Sequence, residues 1–117
     1  MVAPDGVWNI RNSYQCTSKN LVYVITCLQC GQLYIGETKR LLAERFREYR
    51  RDVEKKSRTS PVALHFNRAG HSVDDMTVSV MATCNSDAQR KALEMRLITK
   101  LGTIDPRGMN FDVDYNV

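Results

Sequence analysis

The sequence predicts a small α+β domain: a three-stranded antiparallel sheet flanked by about three helices. Two observations carry that prediction. Residues Leu21 to Thr26 and Leu33 to Thr38 are short, β-branched and aromatic runs joined by a loop holding Cys27 and Cys30. The rest of the chain alternates capped helical patterns with one further strand pattern, Met76 to Thr83.

The elements follow in order. Residues 1–15 show no periodicity and are expected to form a flexible arm, leaving 16–117 as the folded domain. In the first strand Leu21, Tyr23 and Ile25 face one way, and Val22, Val24 and Thr26 the other. In the second, Tyr34 and Gly36 share a face, with Leu33 and Ile35 opposite. The short connection makes the pair antiparallel, and Gly31 suits a tight bend after Cys30. Leu41 to Lys55 reads as a helix whose buried stripe is Leu42, Phe46, Tyr49 and Val53. Arg45, four residues before Tyr49, lies at the edge of that stripe. Ser60-Pro61 caps a short helix reaching about Arg68, and Gly70 stops it. Met76, Val78 and Val80 share one face of the third strand. Ser86 to Gln89 matches a capping box, and a helix follows to Leu101 with Leu93, Leu97 and Leu101 spaced by four. Glu94 lies beside that stripe. Met109 and Phe111 are expected to pack the tail back onto the body.

Composition limits the function. The chain has 117 residues with 43% apolar and 26% charged, which fits one globular domain with a modest core. No apolar run approaches the roughly 18–20 residues of a membrane span. The N-terminus lacks the basic-then-apolar form of a signal peptide, so an intracellular location is expected. The net charge of +4 is uneven: Lys39 to Arg58 alone carries nine Lys or Arg against four Asp or Glu. Such a block is either a solvated helix laced with ion pairs or a surface that faces a polyanion.

Four cysteines and two histidines form the first chemical constellation. Cys27-x2-Cys30 offers two thiolates on one loop, and His65-x5-His71 offers two imidazoles on another element. Together they suit tetrahedral Zn2+. A redox CxxC expects a helix after its first cysteine, whereas here a strand follows. Cys16 is a rival ligand, and Cys84 reads as a small buried hydrophobe. A second constellation is Tyr23, Tyr34, Gly36 and Arg45. Taken singly, strand tyrosines are sheet residues and a helical arginine is a surface residue. The third is Glu94 with Asn110: a carboxylate turned towards arginine and tyrosines would recruit a hard cation such as Mg2+.

These residues resemble a family. The chain is similar to the GIY-YIG nuclease superfamily over about residues 16–110. The first strand motif reads Leu21-Val22-Tyr23 and the second is Tyr34-Ile35-Gly36. Arg45, Glu94 and the Asn110 of Gly108-Met109-Asn110 follow in the family's order. Within it, the chain looks like the endonuclease domain of Penelope-like retroelements, whose two cysteines lie between the two strands. There Cys27, Cys30, His65 and His71 would form a CCHH zinc site. Two departures stand out. Leu21 and Val22 replace Gly and Ile in the first motif. Tyr49 stands where many members have His, although repair-type members carry Tyr there.

The resemblance implies a DNA endonuclease that leaves 5′-phosphate and 3′-hydroxyl ends, the latter available to prime reverse transcription. By the same resemblance Glu94 would hold Mg2+ or Mn2+, and Arg45 would neutralise charge on the phosphoryl oxygens. Tyr23 would act as general base or position the attacking water. As a base it needs a neighbouring cation to lower its pKa. Tyr34 would hydrogen-bond the water or phosphate, Gly36 would admit close approach of the backbone, and Asn110 would orient the substrate. Tyr49 belongs to the same catalytic set. Arg40, Arg47, Arg50 and Arg51 would contact the DNA backbone. Zn2+ would be structural. The implied partner besides DNA is a reverse transcriptase, fused or separate, and the implied location is nuclear. The alternative functions are a zinc-dependent nucleic-acid-binding module without catalysis and, further off, a thiol redox protein.

Overall fold

The computed structural model describes residues 19–111, so the expected arm over 1–15 and Cys16 lie outside the described residues. The element order is β1 (Leu21–Cys27), β2 (Leu33–Thr38), α1 (Leu42–Glu54), α2 (Pro61–Phe66), a 3-10 turn (Val73–Asp75), β3 (Met76–Thr83) and α3 (Asp87–Leu101). The sheet has the order β2-β1-β3, and both pairings are antiparallel. The expected three strands and three helices are all present.

β1 is central because it is apolar on both faces. Leu21, Tyr23, Ile25 and Cys27 pack against Leu42, Phe46, Tyr49 and Val53 of α1 and Val62, Ala63 and Phe66 of α2. Val22 and Val24 pack on the opposite face with Ile35 and with Ile98 of α3. The sheet is therefore sandwiched, with α1 and α2 on one side and α3 on the other. Burial of each large apolar side chain in these layers contributes roughly 1.5–3 kcal/mol.

Pairing fixes the site. The β1–β2 register sets Tyr23 opposite Gly36 and Ile25 opposite Tyr34, so Tyr23 and Tyr34 share the α1 face. A side-chain carbon at Gly36 would overlap the Tyr23 phenol.

Three local expectations are corrected. α2 ends at Phe66 rather than near Arg68, because Asn67 leaves the helix and its Nδ2 donates to the Val53 carbonyl at 3.1 Å. Gly70 takes a left-handed φ of 82° in the turn beyond. Leu93 and Leu97 of the expected α3 stripe pack against the core beside the buried Arg90 and Ile98, whereas Leu101 is 42% exposed. Met109 is buried as expected, but Phe111 is 53% exposed and does not pack back. At the start of α3, Ser86 Oγ accepts from Gln89 N, and Gln89 reaches back to Asn85 N.

The loop after α3 protects the outer edge of the sheet. Met109 N donates to the Leu33 carbonyl, and Ile104 and Asn110 form a parallel bridge. An edge strand left open is a template for unwanted pairing, and this loop closes it. Among the described residues no helix is long and apolar enough to cross a membrane.

Candidate active site and metal centre

The aromatic cluster is built by three elements. β1 supplies Tyr23, β2 supplies Tyr34, and α1 supplies Arg45 and Tyr49. Tyr49 is its centre. Its hydroxyl shares a 2.6 Å hydrogen bond with the Tyr23 hydroxyl. Its ring is edge-on to Tyr23 and Tyr34, with centroids 6.2 Å and 5.9 Å apart. The Arg45 guanidinium lies over the same ring, 4.2 Å from its centroid, a cation–π geometry. Tyr23 and Tyr49 are buried, while Tyr34 and Arg45 are half-buried and form the accessible side of the cluster.

The electrostatics bear on the condition set for Tyr23. Burial pushes the Tyr23 phenol well above its ordinary value, the Tyr34 phenol adds to the shift, and Arg45 offsets only part of it. Arg45 therefore does not make Tyr23 a phenolate at neutral pH. Burial likewise raises Tyr49 and Tyr34. All three phenols are neutral hydrogen-bonding groups.

Glu94 lies on α3, midway between the buried Arg90 and Ile98 on one four-residue spacing. That spacing turns it to the sheet side of the helix. Its charge and that of Glu37 both raise Tyr34, so it belongs to the same neighbourhood. A carboxylate in this neighbourhood suits Mg2+ or Mn2+, which bind through one or two carboxylates and keep several waters. Glu94 is the residue of this neighbourhood that could hold such a cation.

Asn110 bonds to the β2 backbone. Its Oδ1 accepts from Ile35 N at 2.9 Å and from Thr103 Oγ1 at 2.8 Å, and its Nδ2 donates to the Ile35 carbonyl at 3.0 Å. The buried amide is engaged on β2 and holds the strand that carries Tyr34.

The Cys/His set converges. One ligand atom from each of Cys27, Cys30, His65 and His71 lies within 4.8 Å of the others. Cys30 Sγ and His65 Nε2 are 3.4 Å apart, near the edge of about 3.6 Å that tetrahedral Zn–S and Zn–N bonds give. His71 Nδ1 lies 3.3 Å from the Ala69 carbonyl, while His71 Nε2 and His65 Nδ1 are buried without a hydrogen-bond partner. An orphaned buried nitrogen costs about 1–3 kcal/mol. Burial, with His71 and Arg68, lowers His65 to about 4 and keeps it in the neutral ligating form. Burial alone would raise the Cys30 thiol, but His71, the Gln32 backbone and Cys27 together outweigh it and lower the thiol. Two thiols, two imidazoles and the unpartnered Nε2 of His71, whose Nδ1 faces a carbonyl, fit Zn2+. Cys84 is half-buried against the α3 side of the sheet.

On the basic helix, Arg47 and Arg51 are exposed and Arg50 is half-buried. Arg40, just before α1, donates from Nη1 and Nη2 to the two carboxylate oxygens of Glu48, at 2.7 and 2.8 Å. Sequence reasoning overlooked three charged residues. Glu48 also accepts from Arg45 Nη1 at 2.8 Å. Arg90, only 4% exposed, donates from Nε to Glu37 and pairs with Asp87. Their signals were spacing alone: Glu48 three after Arg45, Arg90 four before Glu94, and Glu37 directly after Gly36.

Comparison with known proteins agrees with this geometry. The family model of the GIY-YIG catalytic domain matches residues 19–110. Among solved structures, the chain is similar to the catalytic domain of the homing endonuclease I-TevI, with a TM-score of 0.68 at 20% identity. The match covers 80% of this chain and 99% of that one, and at this identity it shows the shared fold. No curated protein matches the sequence.

Proposed function

Because the chain belongs to the GIY-YIG catalytic domain family, we propose that it is a divalent-metal-dependent DNA endonuclease that nicks by phosphodiester hydrolysis and leaves 3′-hydroxyl ends. The observation that carries this reading is the packing of Arg45 on Tyr49, with Tyr34 on the accessible side and Glu94 in the same neighbourhood. A phosphodiester entering there meets a guanidinium, a neutral phenol and a carboxylate able to hold a cation.

The residues divide the work. Arg45 stabilises charge that develops on the phosphoryl oxygens. Tyr34 hydrogen-bonds the attacking water or a phosphate oxygen. Tyr23 and Tyr49 brace these two from behind through their shared hydrogen bond, and Gly36 leaves room for the Tyr23 ring. Burial raises the Tyr23 phenol, so a role as general base would draw on the bound cation as well as Arg45 to lower it. Glu94 would hold Mg2+ or Mn2+, which supplies Lewis-acid stabilisation of the leaving oxygen when bound. Cys27, Cys30, His65 and His71 would hold a structural Zn2+ that staples the β1–β2 loop to α2. Arg47, Arg50 and Arg51 would track the DNA backbone, which positions the duplex without reading its sequence.

The CxxC between the two strand motifs and the paired histidines favour a retroelement setting like that of Penelope-like endonucleases. In that setting the 3′-hydroxyl primes a reverse transcriptase, fused or separate, in the nucleus. A non-catalytic zinc-dependent binding module is the second reading, favoured by the three neutral phenols and by Tyr49 at the common histidine position. Relaxation of supercoiled plasmid by the chain with Mg2+ or Mn2+ supports the first reading; tight DNA binding without any nicking supports the second.

A further inference from the structure

Glu48 sets a puzzle for a phosphate-binding site. Its carboxylate sits at the accessible edge of the cluster, where an anion must bind, and adds negative charge beside Arg45. Yet it is held in place from two sides. Arg40 donates to both of its oxygens, and Arg45 Nη1 donates to Oε1, the oxygen that Arg40 Nη2 also engages. Hydrogen bonds from Arg40, opposed by burial and aided by Arg45, lower the Glu48 carboxyl to about 2. An isolated exposed ion pair contributes little, but a two-pronged arginine–carboxylate contact within a network restrains geometry. The chain Arg40–Glu48–Arg45 ends on the Tyr49 ring.

Resting on the nuclease reading above, we propose that Glu48 is a positioning residue. It fixes the Arg45 guanidinium over Tyr49 in the orientation that meets the phosphodiester, and Arg40 serves to hold Glu48 in place of contacting DNA. Arg40 is the residue that α1 could not supply itself. It approaches from the β2–α1 connection, where Thr38 Oγ1 accepts from its backbone N–H at 3.0 Å. A lysine there would offer a point charge without the two-pronged geometry.

The test compares wild type, Glu48→Gln, Arg40→Ala, Arg40→Lys and the Arg40→Ala/Glu48→Gln double variant. Two readouts are used: single-turnover nicking of a DNA duplex, and duplex binding over a salt series without divalent metal. Glu48→Gln should lower the nicking rate roughly 10- to 100-fold while binding is equal or tighter. Its salt slope should steepen by about 0.9, because Arg40 is released to the phosphates. Arg40→Ala and Arg40→Lys should also nick slowly, and Arg40→Ala should keep the wild-type slope. The double variant should be no worse than either single one, as expected for groups acting in one chain. Unchanged or faster nicking by Glu48→Gln overturns the proposal, since Glu48 would then be only a repulsive charge. A slope shallower by about 0.9 in Arg40→Ala overturns it too, because Arg40 would then be a phosphate contact. Failure of wild type itself to nick refutes the nuclease reading, and the salt slopes then decide separately between a held and a DNA-facing Arg40.

Discussion

The Tyr49 hydroxyl stands 2.6 Å from the Tyr23 hydroxyl, with both side chains buried at the face between α1 and β1. At the position where the resemblance leads one to expect an imidazole, this chain has a phenol that joins the neighbouring strand and supports Arg45 on its ring. Replacing Tyr49 by Phe keeps the ring and removes that bond, leaving the Tyr23 hydroxyl buried without its partner. The expected cost is about 1–3 kcal/mol in chemical denaturation, together with a loss of nicking. Stability within a few tenths of a kcal/mol of wild type would show that the bond has no structural weight.

Burial raises Tyr23, Tyr34 and Tyr49. The unfolded chain ionises its phenols near pH 10. Stability from keeping them neutral is therefore fully present below about pH 10 and is lost as pH rises from there towards the folded values. In an absorbance titration, at most two of the five tyrosines should ionise before the fold is lost. Ionisation of all five near pH 10 with the fold intact would contradict the burial argument.

The Cys/His set predicts a metal-dependent melt. The purified chain should carry one Zn2+, and a strong chelator should lower Tm by about 10 °C or more, because binding energy of a structural metal is folding energy. His71→Ala should melt low without chelator and respond little to it. A melt unmoved by chelation would remove Zn2+ from the account.

Asn110 distinguishes holding a strand from touching a substrate. Asn110→Ala strips partners from Ile35 N, the Ile35 carbonyl and Thr103 Oγ1, at an expected cost of about 2–4 kcal/mol. Activity should fall with stability and recover on cooling. A stable variant with weakened substrate affinity alone would restore the substrate-orienting role.

The sequence carried the sheet, the three helices and the Cys/His set because each rests on local signals: β-branched runs, caps and ligand spacing. Tyr23, Tyr34 and Arg45 could be placed on their elements, and the motif order suggested that they meet. What stayed hidden depends on packing partners distant in sequence. The buried face of α3 includes Arg90, and a charge is read as solvent-facing until its partner is known; Glu37 is 53 residues away. The Leu93 and Leu97 spacing found the packed side of the helix, but it gave no sign that Arg90 shares it. The role of Asn110 depends on a backbone edge 75 residues earlier, and no periodicity reports such a contact. The balance at Tyr23 between its burial and the neighbouring Arg45 depends on packing that the sequence does not report.

Glu94 tests the central claim most directly. Supercoiled plasmid is incubated with wild type or Glu94→Gln in Mg2+ or Mn2+, with duplex binding measured in parallel. The substitution keeps size and hydrogen bonding while removing the charge that would hold the cation. Wild type should convert supercoiled plasmid to nicked circles bearing 3′-hydroxyl ends, and Glu94→Gln should bind DNA as well but nick at least about 100-fold more slowly. Equal nicking by the two proteins, or none by wild type, would contradict the account.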